Sequence, residues 1–471
     1  MFKRKEVKKP SLFASLLIFL FLIGALVAQV IINGSADAHI TFLLTIAFGA
    51  IVLLINGISW ERIEDGIVEG CKSATMAMLI LMLVGILIPT LMASGSIPNL
   101  IYWGMQLISP KIFLPTVALA CAIASLATGS AWTSAATFGV AAMGISIGLG
   151  IPAPLAAGAV ISGSVFGDKL SPLSDTTNLA PAVTGTDLFS HIKSMIYTTV
   201  PAMVISLVLF GIVGAKYGSD SIDNVAITAI LESLDANFNV KGFGLILGLI
   251  PFAMILIMSF KKVNVLATMV SAALVACLIA VVINGYGILD MMSFMNFGFV
   301  IDAGNADVNS LLNRGGLQGM MYTVSLGYFG LGLGGLLEYT GVLEVILEKM
   351  SGMTKKQGNL ILTHVLSCIF INLFTASQYL SIMIPGKLFA PAYDKLKIQR
   401  YVASRTCEDS GTVTSPLVPW NMCGVYFATT LGVATTEYFP YTFLPLLSPI
   451  IAVIYGYANI FIFKVNEKTS E

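Results

Sequence analysis

Gly167-Asp168-Lys169-Leu170-Ser171-Pro172-Leu173-Ser174-Asp175-Thr176-Thr177-Asn178 interrupts chain that is otherwise apolar enough to lie in a bilayer. Proline withholds a donor from the helix ladder and disfavours helical backbone at the residue before it, so Ser171-Pro172 predicts an unwound point. Working outward, the pattern recurs: Gly167-x3-Ser171-Pro172-Leu173 returns 244 residues later as Gly411-x3-Ser415-Pro416-Leu417. Thr128-x-Ser130-x-Trp132-x-Ser134-x4-Gly139 returns after 247 residues as Thr375-x-Ser377-x-Tyr379-x-Ser381-x4-Gly386, and Gly95 and Gly341 stand 246 apart. Duplicated helix-breaking, hydroxyl-rich segments in apolar sequence are the expected form of a secondary transporter built from repeats.

The 471 residues are 56% hydrophobic and only 11% charged, with mean hydropathy +0.89, whereas soluble domains are about 25% charged. Runs of about 20 apolar residues recur, each able to cross the hydrocarbon core as a helix. The chain therefore reads as a polytopic helical protein whose solvent is the lipid bilayer. A formal net charge of zero gives no basis for a nucleic-acid partner. Cys71, Cys121, Cys277, Cys368, Cys407 and Cys423 show no C-x-x-C or C-x-x-H spacing and read as small core residues, not as disulfides or a metal site. His39, His191 and His364 are scattered, which argues against a metalloenzyme.

Residues 12–32 read as the first span, preceded by a basic tail, 1–11, with Lys3-Arg4-Lys5 and Lys8-Lys9; the positive-inside rule puts that tail in the cytoplasm. A cleaved signal peptide is the competing reading, but the apolar run is too long for one. Further spans are expected at 39–58, 74–93, 194–213, 241–259, 264–285, 319–337 and 441–463, with broken helices at 152–182 and 401–436. With the first helix running outward, Arg62, Lys72, Lys261-Lys262, Lys349, Lys355-Lys356, Lys464 and Lys468 all fall inside. The acidic groups Asp220, Asp223, Glu232, Asp235, Asp290, Asp302 and Asp307 fall outside. The span at 74 then starts inside and its counterpart at 319 starts outside.

The fold class expected is an all-α polytopic membrane protein with two inverted repeats of about five spanning helices each, two re-entrant hairpins and two broken helices. The first repeat covers 12–218 (hairpin 113–147), an extracytoplasmic connector 219–240, the second repeat 241–463 (hairpin 357–390), and a cytoplasmic C-terminal tail 464–471. Short full crossings are the alternative to hairpins. Non-helical backbone at such depth survives only where protein or a water-filled cavity satisfies it. The segment 286–318 reads as a lid or a long outer loop.

Unwinding at Ser171-Pro172 gathers carbonyls, hydroxyls, one amide and two carboxylates, an inventory that suits a hard cation such as sodium. Burial favours a protonated carboxylate and a bound cation favours an ionised one, so sodium and proton compete there. Charged groups at mid-bilayer cost about 3 kcal/mol or more and are usually functional. Asp168 and Asp175 are the first candidates, with Asp175 deeper in the motif; Asp168 has the alternative of pairing with Lys169 or Lys193. Ser171, Thr177 and Asn178 are candidates for uncharged ligation, against helix capping. Sodium is placed at Asp168, Asp175 and Asn178. In the second copy Thr412 replaces Asp168 and Pro419 replaces Asp175, while acidity moves upstream to Glu408 and Asp409. Either is a candidate proton carrier, against a salt bridge to Arg405. Ser415 and Asn421 are pocket candidates. Thr128, Ser130, Thr375 and Ser377 would line hairpin tips facing the breaks, unless they bond their own helices.

The string Gly167–Ala180, with Glu408-Asp409-Ser410-Gly411 and Ser415-Pro416-Leu417, resembles the NhaC family of sodium/proton antiporters over nearly all the chain between its first and last helices. That resemblance implies a bacterial or archaeal cytoplasmic-membrane protein exchanging sodium for protons, with hairpins and inverted repeats like others of the wider ion-transporter group. It implies no cofactor, since ion gradients supply the energy. It also covers a branch of malate/lactate exchangers, so malate and lactate are the alternative cargo, with Lys169, Asn178, Asn421 and serines to receive an anion. A membrane enzyme is disfavoured by the lack of H-E-x-x-H or G-x-S-x-G motifs. A passive channel is excluded only by uphill transport. A homodimer is one compatible assembly.

Overall fold

A computed structural model describes residues 9–33, 38–217, 224–261, 263–351 and 356–465. The basic residues Lys3, Arg4, Lys5, Lys8, Lys262, Lys355 and Lys468 and the acidic Asp220 and Asp223, used above for topology, lie outside them. Among the described residues the chain is helical, with one isolated antiparallel bridge, Ile398 to Lys464.

The first half runs α1 (Leu12–Asn33), α2 (Ala38–Ile55), α3 (Trp60–Ala93), α4 (Ser96–Leu107), α5 (Pro110–Thr128), α6 (Ala131–Ser134), α7 (Val140–Gly148), α8 (Ala153–Leu170), α9 (Asp175–Thr184) and α10 (Leu188–Gly214). Next come α11 (Asn224–Asn237), α12 (Gly242–Phe260), α13 (Val265–Val282), α14 (Ile288–Phe297) and α15 (Ala306–Leu312). The remainder is α16 (Leu317–Tyr339), α17 (Val342–Ser351), α18 (Gln357–Thr375), α19 (Gln378–Lys395), α20 (Arg400–Cys407), α21 (Met422–Leu431), α22 (Thr435–Tyr438) and α23 (Phe443–Ala458). Ten of the helical stretches are long and apolar enough to cross a membrane. Exposed Phe13, Leu20, Ile55, Ile123, Val208 and Leu274 give the bundle the apolar exterior that lipid requires.

The expected spans are all present, with two main departures. Helix α3 starts at Trp60, not 74; its 34 residues are roughly 51 Å long at about 1.5 Å per residue, so its charged first turns stand clear of the hydrocarbon. The last span is shorter than 441–463. The connector is not a plain loop, because α11 docks there through Ser233, whose hydroxyl donates to the Ala303 carbonyl at 2.8 Å. The segment 286–318 is likewise ordered, as α14 and α15, and is tied to α3 by the Gly316 N–H donating to Gly85 O at 2.7 Å.

Helices α3 and α16 cross closely along their length. A Cβ at Gly70 would lie 2.1 Å from Leu331 O, one at Gly335 2.2 Å from Gly66 O, and one at Gly85 2.8 Å from Gly316 O. Residue numbers rise along one helix as they fall along the other, so these counterparts, 246 residues apart, run antiparallel. The broken helices do the same. Gly158, early in α8, abuts Tyr441 beyond the end of α21. At the far end, the Arg400 guanidinium that opens α20 donates to Thr184 O, the last residue of α9, at 3.4 Å.

Candidate functional site

Each half presents a tip against a break. At the first tip Gly129 takes left-handed backbone (φ 69°), and at the second Ala376 does so (φ 54°). The hydrogen bonds that follow are the same. Ser130 N–H donates to Thr128 Oγ1 and Ser377 N–H to Thr375 Oγ1, both at 3.3 Å. Ser130 and Ser377 then cap the next helix, their hydroxyls accepting from Thr133 N–H and Leu380 N–H at 3.2 Å. The four hydroxyl residues named from the sequence thus build the two tips, and they do so by bonding local backbone.

The first tip rests on the Ser171–Ser174 break: Ser171 Oγ donates to Leu126 O at 2.8 Å, and Gly129 has room for no side chain beside Leu173. The second tip rests where α21 begins. Met422 N–H donates to Ala376 O at 3.1 Å, and Trp420 Nε1 donates to Leu373 O at 2.7 Å. In each half a ten-residue helix, α9 or α21, follows the break. Trp132 stacks on Tyr426, centroids 4.4 Å apart, and accepts from its hydroxyl at 2.6 Å, which clamps the two units together.

Three expected ligands turn inward on the chain instead. Thr177 Oγ1 donates to Asp168 O (3.1 Å) and Lys169 O (3.0 Å). Asn178 is exposed and donates to Pro172 O (2.9 Å) and Ser174 O (2.7 Å), and Ser171 bonds Leu126 as described. These groups bond carbonyls at or beside the break; for Thr177, which bonds the last turn of α8, this is a helix-capping role. In the second half Ser415 Oγ donates to Thr412 O at 2.8 Å. Asn421 caps α21, accepting from Cys423 N–H at 3.1 Å, and donates to Asn372 Oδ1 at 3.1 Å. Asn372 in turn donates to Gly411 O at 2.6 Å and Thr414 Oγ1 at 3.0 Å. Sequence reasoning missed Asn372, although a lone amide in the apolar run Ile369–Phe374 was the available signal.

The carboxylates divide sharply. A π-helical turn, Glu408–Thr412, places Glu408 and Asp409 on different sides of α20. Asp409 is ion-paired to Lys169; its Oδ1 also accepts from Thr198 (2.9 Å) and Ser448 (3.1 Å), and Arg405 Nε lies 3.8 Å from Oδ2. The salt bridge weighed for the upstream acids is therefore real for Asp409, with Lys169 of the other half as the closer partner. Lys169 does not pair with Asp168. Glu408 is fully buried, with no protein hydrogen bond to either carboxylate oxygen; it faces the Thr412 hydroxyl, itself unpartnered. Asp168 is 9% exposed, faces Ser174 and the Ala131 backbone, and lies within electrostatic range of Asp175 and Glu408. Neither Asp168 nor Glu408 joins an ion pair among the described residues. Asp175 opens α9 and is exposed, whereas Asp168 is buried, so Asp168 is the more enclosed carboxylate of the motif.

The chain as a whole is similar to known proteins. Residues 163–460 match the profile of the Na+/H+ antiporter family. The chain is 36% identical to the Na(+)/H(+) antiporter NhaC of Alkalihalophilus pseudofirmus, over 94% of this chain and 95% of that one. It is 38% identical to the malate-2H(+)/Na(+)-lactate antiporter of Bacillus subtilis, over 99% and 98%. It is also 35% identical to the arginine/ornithine antiporter ArcD of Halobacterium salinarum, over 96% and 93%.

Proposed function

The chain belongs to the Na+/H+ antiporter family, and we propose that this multi-pass antiporter exchanges sodium for protons across the cytoplasmic membrane by alternating access. Asp168 and Glu408 are shared by the two ions, sodium binding when they are ionised and the return step following when they are protonated. One observation supports the reading: each broken helix brings one buried carboxylate, outside any ion pair among the described residues, within electrostatic range of the other. Neighbouring Asp409, by contrast, is neutralised by Lys169 and Arg405. An uncompensated buried carboxylate is costly unless a cation or a proton joins it, which is the requirement of a coupling site. Asp175 serves as the outer step toward Asp168. Asn178, Ser171, Thr177, Ser415, Asn421 and the tip residues Thr128, Ser130, Thr375 and Ser377 hold the unwound backbone open at the site.

The antiparallel runs of α3 against α16 and of α8–α9 against α20–α21 support two inverted repeats, each with a re-entrant hairpin that ends at the break beside it. Inversion lets the halves trade conformations, opening one site to each side in turn. Both termini are cytoplasmic in this reading, and sodium, proton and lipid are the partners it requires.

The second reading, malate/lactate exchange, is favoured by the 38% identity to an exchanger of that kind. An organic anion needs cationic or donor groups, and the cation nearest the break, Lys169, is held by Asp409, which favours the first reading. Proteoliposomes loaded with acid buffer separate the two. Uphill accumulation of labelled sodium driven by the proton gradient alone is expected, with loss of accumulation in Asp168→Asn. Malate-for-lactate counterflow without any sodium–proton exchange would overturn the proposal.

A further inference from the structure

Cys368 and Cys407, read from the sequence as small core residues, converge with His364 at the buried contact between α18 and the end of α20. The three ligating atoms, His364 nitrogen and the two Sγ, all lie within 4.8 Å of one another, and Cys407 Sγ stands 3.3 Å from His364 Nε2. His364 and Cys368 share one face of α18 because they are four residues apart, a spacing absent from C-x-x-C searches.

The surroundings fix which imidazole nitrogen is free. Thr406 Oγ1 donates to Val402 O at 2.8 Å, and Tyr393 Oη donates to Thr406 Oγ1 at 3.2 Å. The Tyr393 oxygen, 3.1 Å from His364 Nδ1, therefore accepts the Nδ1 proton. That leaves Nε2 with its lone pair directed at the cysteine side, while Phe389 stacks on the ring at 4.9 Å. A hydrogen-bonded Nδ1–H behind a free Nε2 is the second shell that orients metal-binding histidines. Nitrogen and sulfur ligands on a tetrahedral zinc, at about 2.0 and 2.3 Å, sit about 3.5 Å apart, close to the separation found.

We propose that His364 Nε2, Cys368 Sγ and Cys407 Sγ form a site for one thiophilic metal ion of the zinc class. Soft thiolates with one imidazole select such ions over sodium, magnesium or calcium. Binding displaces the two thiol protons to solvent, and the metal–sulfur and metal–nitrogen bonds staple hairpin arm α18 to the residue preceding Glu408. The ion is thus a structural brace beside the carboxylate turn, and the proposal does not rest on the choice of transported ion.

The test uses full-length protein purified in detergent under reductant, after growth with zinc. Elemental analysis is expected to find about one zinc per chain; after chelation, added cadmium is expected to give a thiolate-to-metal charge-transfer band. The band should vanish in Cys368→Ala/Cys407→Ala and affinity should fall at least about tenfold in His364→Gln. Added zinc should raise the melting temperature of the wild type and not of the double variant. A wild type with no stoichiometric zinc and no band overturns the site, and this measurement needs no variant to fold. A band unchanged in the double variant also overturns it, assigning the metal to other cysteines.

Discussion

Glu408 and Asp409 are chain neighbours, yet Asp409 is bonded by Lys169, Thr198 and Ser448 while Glu408 has no such partners. Their variants should therefore fail in different ways. Glu408→Gln keeps shape and removes the exchangeable charge. Sodium-driven proton flux in everted vesicles is expected to fall at least about tenfold, equivalent to about 1.4 kcal/mol on the rate-limiting barrier, with normal protein in the membrane. Wild-type flux would remove Glu408 from the mechanism. Asp409→Asn instead strands the Lys169 ammonium in the core. Breaking a buried pair costs about 3–5 kcal/mol, whereas replacing both members by apolar groups is often neutral. Thermal melting in detergent should show a large loss for Asp409→Asn and recovery in Lys169→Met/Arg405→Met/Asp409→Leu, which removes both buried cations with the carboxylate; equal losses in both would mean that the ion cluster is not what holds the region.

At the scale of elements, the glycine crossing of α3 and α16 sets a sharp contrast. Gly70→Ala puts a methyl group 2.1 Å from the Leu331 carbonyl, so the helices must part, at a cost of about 1–3 kcal/mol. Gly24→Ala on α1 meets nothing within 4 Å and should be neutral or slightly stabilising through helix propensity. Melting curves of the two variants check this, and equal effects would dismiss the crossing as a constraint. The first break was legible because proline enforces it: Ser171-Pro172 unwinds the chain where expected, whereas Ser415-Pro416 lies in a 3-10 turn, Ser415–Leu417, and the second break follows it at 418–421. The π turn at Glu408–Thr412 was not legible, since one extra residue in a turn leaves no compositional mark. Nor was the fate of Thr177 and Asn178, since a hydroxyl or amide beside a break serves backbone and ligand equally well. The greater exposure of Asp175 was not legible either, because position within a motif says nothing about which way the following helix leaves it.

Over the whole molecule, repetition in the sequence pointed to two related halves, but the contacts between their helices lay beyond it. Nothing in Lys169 or Asp409 names the other, because which faces of distant helices meet is decided by packing of the complete bundle. The antiparallel arrangement makes a prediction that residues alone could not. In a cysteine-free background, single cysteines replacing exposed Trp60 and Gln318, at the starts of α3 and α16, should react with an impermeant maleimide from opposite sides of the membrane. Labelling from one side would end the inverted reading of the halves.

Where α3 meets α16 around Gly66, Gly70 and Gly335, main chain touches main chain with little side chain between to be rearranged. Such a contact resists shear, so the long rods must stay locked while cargo is handed across. A pair of probes, one on each rod, is therefore expected to keep a single separation through every turnover, and a change in that separation would dismiss the contact as rigid.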